Sequence, residues 1–365
     1  MAKILVVGNA GDPFWERGLV GTRAGHRVFW YSDVRRELPG VERMFHPPRV
    51  PRALSGVTRA LWLKRTLRRL RPDLVHVFFA NQGWASLILA RVPRLVVTTM
   101  GGDVLDDQPE FASRRRQLLT ARVFANARAI TCQAAFMERS VARWGPFAHK
   151  TERITWGVHR EVFRPGLETA DLRERYGLAP DELVFFCVRL CRPLYNKDVV
   201  VRAFAQARAQ GLRATLLISE QHAFPDYLAQ IRGLVDELGL APHVRFVGWI
   251  PHEDMPRFMN LADVVVSVPS SDGLPQSVLE CMACGTYPLV GDHPSYDELV
   301  VDGVHGRRVP LRDVGALAEA MCWVTTPEAE REAVIERNLA HVAELADWDE
   351  QAARMNAIYE RVLRE

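Results

Sequence analysis

The chain has 365 residues, 48% of them apolar and 25% charged, with a formal net charge of +3; that balance suits a folded protein with room for two ordinary cores and excludes disordered or fibrous classes. No apolar run approaches the ~18 residues of a membrane-spanning helix. The six cysteines read as free thiols rather than a secreted disulfide framework, and the charge is uneven, with 28 Lys and Arg against 13 Asp and Glu in residues 1–165 but 19 against 31 in residues 166–365.

The opening MAKILVVGNAGD has one basic residue and a short apolar run before Gly8. That is too little for a secretory signal and predicts a first buried strand, so a cytoplasmic protein is expected. HRVFWYS (26–32) reads as the next strand. SGVTRALWLKRTLRRLRPD (55–73) has Ala60, Leu63, Leu67 and Leu70 at helical spacing, with Arg59, Lys64, Arg65, Arg68, Arg69 and Arg71 around them. It predicts a helix that either packs an apolar stripe on a sheet or meets an anionic membrane face as a peripheral contact. Interleaved aromatic platforms are absent from it, so no nucleic acid is expected.

Further strands are predicted at LVHVFF (74–79), RLVVTTMGG (94–102), AITCQ (129–133) and RITWGVH (153–159). His76, inside an apolar strand, reads as a buried packing histidine. FRPGLETADLRERYG (163–177), with Pro165 and Gly166, marks a linker. Beyond it the rhythm repeats in LVFFCVRL (183–190), ATLLISE (214–220), VRFVGWI (244–250), ADVVVSVPS (262–270) and GTYPLVGD (285–292). Strands alternating with helices imply an α/β chain of two doubly wound, Rossmann-like domains, 1–165 and 166–345, facing across a cleft. The last stretch, 346–365, predicts a helix that crosses back onto the first domain.

SDGLPQSVLECMACG (271–285) predicts a turn at Asp272-Gly273, then a helix with Pro275 in its first turn and Gly285 as its stop. Such a junction presents free N–H groups and the positive end of a dipole, a site for phosphate. Glu280, five residues on and about 7 Å along the axis, is placed to accept from ribose hydroxyls, and Asp272 to face a group beyond the phosphates. The plain alternative is a turn aspartate and a solvated helix glutamate. Cys187, Cys191, Cys281 and Cys284 form a CxxxC and a CxxC that could hold zinc, although small apolar neighbours favour packing.

Pro269 to Gly285 resembles the E-x7-E region of retaining glycosyltransferases of family 4, which have the GT-B fold. The likeness runs over nearly the whole chain, through HRVFWYSD, PDLVHVFF, VVTTMGGDVL, ITWGVHREVFRP, VRLCRPLYNKDVVVRAF, VRFVGWIPHEDMPRFMNLADVVVSVPS and YDELVVDGVHGRRVP in the expected order. It implies that Glu280 binds ribose and that Asp272 contacts the donor sugar. The backbone around Gly273, Leu274, Pro275 and Gln276 would then approach sugar and phosphate. A diphosphate-holding Arg and Lys carry over to Arg189 and Lys197, with Arg192 able to take either role because RLCRPLYNK is longer than the usual spacing. Asp272 replaces the more usual Glu, and Met100 in TMGGD replaces a frequent His. Asp103 then orients the acceptor hydroxyl or caps the following turn. Gly8 and Gly11, the latter on the donor side, and Gly101 and Gly102 on the acceptor side serve close backbone approach or ordinary turns.

The resemblance implies transfer of a hexose, with retention, from a nucleotide diphosphate sugar to an acceptor hydroxyl. A UDP-sugar is the first expectation, with GDP- or ADP-sugar as alternatives, and neither a divalent ion nor another cofactor is expected. A nucleotide-sugar 2-epimerase, a phosphorylase carrying pyridoxal phosphate and a non-catalytic nucleotide-sugar binder are the rival functions.

Overall fold

The computed structural model describes residues 1–11, 15–105 and 113–365. The chain forms two compact units, Met1–Gly157 with Trp348–Glu365, and Val158–Asp347. The first break thus falls before Pro165, and the second leaves the final helix with the first unit.

The first unit is built on a seven-stranded sheet: β1 (Lys3–Val7), β2 (Arg27–Tyr31), β3 (Arg43–Phe45), β4 (Leu74–Phe78), β5 (Leu95–Thr98), β6 (Ala129–Cys132) and β7 (Thr151–Arg153). Their order is β3-β2-β1-β4-β5-β6-β7, every pair parallel. The winding therefore changes direction between β1 and β4. The second unit carries six strands: β8 (Leu183–Cys187), β9 (Ala214–Ile218), β10 (Val244–Phe246), β11 (Val264–Ser267), β12 (Tyr287–Gly291) and β13 (Arg307–Val309). Their order, β10-β9-β8-β11-β12-β13, puts the reversal between β8 and β11. Central strands are buried on both faces, as parallel sheets covered by helices require. The helix Lys197–Ala209 supplies one cover, burying Val200, Ala203, Phe204 and Ala207 at i, i+3, i+4 and i+7.

Three strand assignments differ from the sequence expectation. RITWGVH is not a strand: β7 ends at Arg153, and Trp156 sits in the left-handed region at φ 52°, which breaks the extended run. Trp156 is buried in the core of the first unit beside Trp348 and Phe78, so its apolarity reflects packing rather than pairing. The short edge strands β3 and β13 were not expected. Each has three residues and at least one arginine, too brief for alternation to be visible.

The final helix, Trp348–Arg364, buries Met355, Ile358, Tyr359 and Val362 against the first unit. Its anchor is polar. The Tyr359 hydroxyl shares a hydrogen bond with His76 Nδ1 (2.6 Å), His76 Nε2 shares one with Thr98 Oγ1 (2.7 Å), and Thr98 Oγ1 one with Thr131 Oγ1 (2.6 Å). A neutral imidazole, one nitrogen donating and the other accepting, satisfies every link with the protons ordered in either direction, and burial pushes its pKa down to about 3. His76 is thus the packing histidine expected of its apolar strand. The backbone N–H of Thr155 adds a bond to Gln351 Oε1 at 3.0 Å.

The sign of the pH effect follows. An unfolded histidine takes a proton below about pH 6.5, whereas native His76 resists until about pH 3. Stability contributed by this residue is therefore complete above pH 6.5 and falls by about 1.4 kcal/mol per pH unit as the pH drops toward 3. Denaturant titrations at a series of pH values should show His76→Gln with a shallower acid dependence than wild type by about one proton. Equal slopes would mean that the imidazole is not held neutral.

Candidate active site

In the second sheet, Phe185 lies opposite Val264 and Phe186 opposite Val265, so β8 and β11 leave the sheet side by side at the same edge. This is the reversal point, where loops diverge and leave a crevice. The two loops are sewn together: Asn196 Nδ2 donates to Val268 O (2.8 Å) and Ser270 Oγ (2.9 Å), and the Ser270 N–H donates to Leu194 O (2.9 Å). Asn196 adopts φ 48°, a left-handed turn that asparagine tolerates better than most residues.

From the β8 loop Arg189 reaches the β11 loop. Its Nη2 donates to Asp272 Oδ2 at 2.6 Å, its Nη1 to Ser277 Oγ at 2.8 Å, and its guanidinium lies 4.8 Å from the centre of the Tyr195 ring. The two charged side chains are only 10% and 11% exposed. Burial pushes the Asp272 carboxyl upward, while Arg189, His293 and the Gly273 N–H pull it back. Below this pair Tyr296, fully buried, shares a 2.8 Å hydrogen bond with Ser267 Oγ.

The helix Gln276–Ala283 begins here, with Pro275 immediately before it. Its residues are buried apart from Ser277, so it runs inside the unit, and an ionisable residue on it is unusual. Glu280 is that residue, 7% exposed. It follows Ser277 by three positions and therefore shares the helix face against which Arg189 docks. Sequence reading missed Ser277; its i, i+3 relation to Glu280 in QSVLE was the available signal.

The other expected residues are placed differently. Lys197 opens its helix fully buried, with Nζ on the Cys187 carbonyl (3.0 Å) and 3.4 Å from Cys187 Sγ; the ammonium is turned into the unit rather than to Asp272. Arg192 donates from Nε to His222 O (3.2 Å) and stacks 4.9 Å from the Phe224 ring centre. The Gly273 N–H serves the Asp272 carboxylate, and the Gln276 N–H is taken by Leu274 O at 2.9 Å. Both Leu274 and Gln276 are buried.

At the reversal point of the first sheet the groups are neutral or internally bonded. Asp103 is fully buried, accepting from the N–H of Ala80 (2.6 Å) and of Met100 (2.9 Å), and burial raises its pKa to about 6 against those bonds. Its carboxylate ties the β4 and β5 loops together through residues that precede it. Gln133 Nε2 contacts Met100 Sδ at 3.6 Å. Gly101 needs its φ of 98°, and a Cβ at Gly8 would come within 3.3 Å of Phe78 Cβ. Gly102 has ordinary space and the Gly11 N–H bonds Asn9 Oδ1 at 2.9 Å.

Among the described residues no group of three or more His, Cys, Asp and Glu is arranged to hold a metal, so Cys187, Cys191, Cys281 and Cys284 do not form a zinc site; they are free thiols. Asp347-Trp348-Asp349 has a D-x-D spacing, but Asp347 faces Arg160 at 3.8 Å and Asp349 pairs with Arg23 at the surface. Among the described residues no helix is long and apolar enough to cross a membrane.

Residues 20–162 match the family description "Glycosyltransferase Family 4", and residues 168–340 match "Glycosyl transferases group 1". A D-inositol 3-phosphate glycosyltransferase of Mycobacterium ulcerans is 32% identical over 211 residues, 57% of this chain and 44% of that protein. A GDP-mannose-dependent alpha-(1-6)-phosphatidylinositol monomannoside mannosyltransferase of Mycolicibacterium smegmatis is 31% identical over 50% of this chain and 49% of its own length. The matches thus span about half the length of those curated relatives. Sucrose-phosphate synthase of Thermosynechococcus elongatus superimposes with a TM-score of 0.84 at 21% identity, covering both chains completely. HepE of Anabaena in complex with UDP-glucose gives 0.84 at 17%, again over both whole chains. At such identities the likeness is one of fold.

Proposed function

The chain belongs to glycosyltransferase family 4, and on that premise we propose that it moves a sugar, with retention, from a nucleotide diphosphate sugar to an acceptor hydroxyl. The observation that carries this reading is the meeting of Arg189, the start of the helix Gln276–Ala283 and the buried Glu280 on one face at the reversal point of the second sheet. Arg189 is the cation for the diphosphate, which gains negative charge as the glycosidic bond breaks. A fixed, water-poor cation stabilises that charge more than a mobile surface lysine would. Glu280 receives the ribose hydroxyls. Retention then follows a front-face course in which the departing phosphate takes the acceptor proton. The complex of HepE with UDP-glucose favours a UDP-sugar, and the GDP-mannose dependence of the mycolicibacterial relative makes GDP-sugars the second choice.

Incubation with UDP-, GDP- and ADP-sugars in the absence of acceptor tests the reaction class. Slow release of free sugar from one of them is expected. An isomerised donor would replace transfer by epimerisation, and complete inertness toward all three would indicate a binding protein. In calorimetry with the matching bare nucleoside diphosphate, Glu280→Ala should lose about 1.5 to 3 kcal/mol, the worth of hydrogen bonds to a charged acceptor. Unchanged affinity in a folded variant removes Glu280 from the site.

A second part of the reading concerns where the acceptor is met. The helix Arg52–Leu70 buries Ala60, Leu63 and Thr66 and turns Leu54, Val57 and Leu61 outward at i, i+3 and i+7, Leu61 being 63% exposed. Exposed Trp84 continues this patch, with the Arg115 guanidinium 3.6 Å from its ring centre. Leu118 on the helix Arg114–Asn126 is 62% exposed, and Arg114 and Arg116 are exposed beside it. Apolar side chains amid arginines suit the boundary of an anionic bilayer, so the acceptor is presented at a membrane face. Sedimentation with vesicles at low salt should recover more protein on anionic than on neutral lipid, and the pair Leu54→Ser with Leu61→Ser should lower that recovery severalfold. Equal recovery on both lipids leaves the helix a purely structural role.

A further inference from the structure

The guanidinium of Arg189 is already engaged before any anionic ligand arrives. Asp272 already neutralises the guanidinium at 2.6 Å, and Glu280 adds a second carboxylate on the face of Ser277. The neighbouring cations Lys197 and Arg192 are engaged on the carbonyls of Cys187 and His222. A diphosphate meeting the guanidinium therefore finds its charge already countered by Asp272, in surroundings where charge–charge terms are screened little.

We propose that Asp272 is the resident counter-ion of Arg189, displaced when the donor diphosphate takes over the guanidinium, and that the released carboxylate then accepts from a hydroxyl of the transferred sugar. This rests on the reading of the site as a donor site. The geometry favours an exchange of partners over a shared one. The guanidinium lies 4.8 Å from the centre of the Tyr195 ring, with Nη1 on Ser277 Oγ in the first helical turn, so a phosphate oxygen arriving at that turn meets Arg189 directly.

Once Arg189 changes partner, Asp272 keeps the Gly273 N–H and faces Tyr195, Tyr296 and His293. With a sugar attached to the diphosphate, a hydroxyl fills the lost bond. With a bare nucleoside diphosphate nothing does, and a buried carboxylate beside a new anion takes up a proton, as burial already favours. Bare diphosphate therefore binds with proton uptake and more tightly at lower pH, whereas the sugar nucleotide binds with less.

The test is calorimetry of UDP, GDP and ADP on the wild-type protein, in buffers of different ionisation enthalpy, followed by the same titrations on Asp272→Asn. The expected result is proton uptake by wild type with the diphosphate that binds. Its loss in the variant should accompany affinity tightened about threefold or more, since a repelling charge has gone. Turnover of the sugar nucleotide by the variant should fall about tenfold or more, a charge-assisted bond having been lost. Affinity that is unchanged or weaker in Asp272→Asn overturns the displacement, as does proton uptake that persists in the variant. The wild-type titration needs no variant to fold: absence of proton uptake there also overturns it. If none of the three diphosphates binds wild type, the donor-site reading itself is wrong, an outcome distinct from binding that ignores Asp272.

Discussion

In the second unit everything chemical depends on one constraint of a parallel sheet, that neighbouring strands β8 and β11 are followed by loops that must leave in opposite directions. Arg189 and Asp272 lie 83 positions apart in the chain, yet both follow strands that end at this reversal. Their ion pair bridges the gap that diverging loops leave. Buried charges are costly unless paired and hydrogen-bonded, and here the guanidinium also has Ser277 Oγ and the Tyr195 face. A pair of this kind is a poor choice for stability alone, because well-packed apolar residues of similar volume commonly do as well. Its position at the carboxyl edge, rather than at the opposite end of the strands, fits a role in which one partner can be exchanged.

The first unit uses the same topology in another way. Beside its reversal, β4 is tied to β5 and to the final helix by groups that satisfy one another: Asp103 on backbone N–H groups of the β4 and β5 loops, His76 in a chain of neutral hydroxyls. Charge is moved outward instead, onto the exposed arginines of the helices Arg52–Leu70 and Arg114–Asn126. The excess of basic residues before residue 165 is therefore a surface property. The acidic excess after it does not mark the reversal point of the second sheet, where Arg189 is paired with Asp272.

The rhythm of strands was readable because a parallel strand buried on both faces is a continuous apolar run, as in LVFFC and VVVS. The helix after Asp272 was readable from Pro275 and Gly285. The strand at RITWGVH was misread because burial of Ile154 and Trp156 produces the same apolar pattern as pairing does. Composition alone does not separate them; only the positive φ of Trp156 does. The edge strands β3 and β13 carry arginines and lack the length for any period to show.

Side-chain direction was the least legible part of the site. Arg189, Arg192 and Lys197 are interchangeable cations in the linear string RLCRPLYNK, and what separates them is the fold of the loop. The left-handed turn at Asn196, tied to Val268 and Ser270, starts the next helix so that Lys197 points back to the end of β8 and lies against Cys187. Arg192, earlier in the same loop, is drawn to His222 and Phe224 beyond β9. Only Arg189 leaves β8 early enough to reach across to β11. The course of this loop therefore leaves one of its three cations at Asp272, and makes the partner of that one cation the deciding variable there.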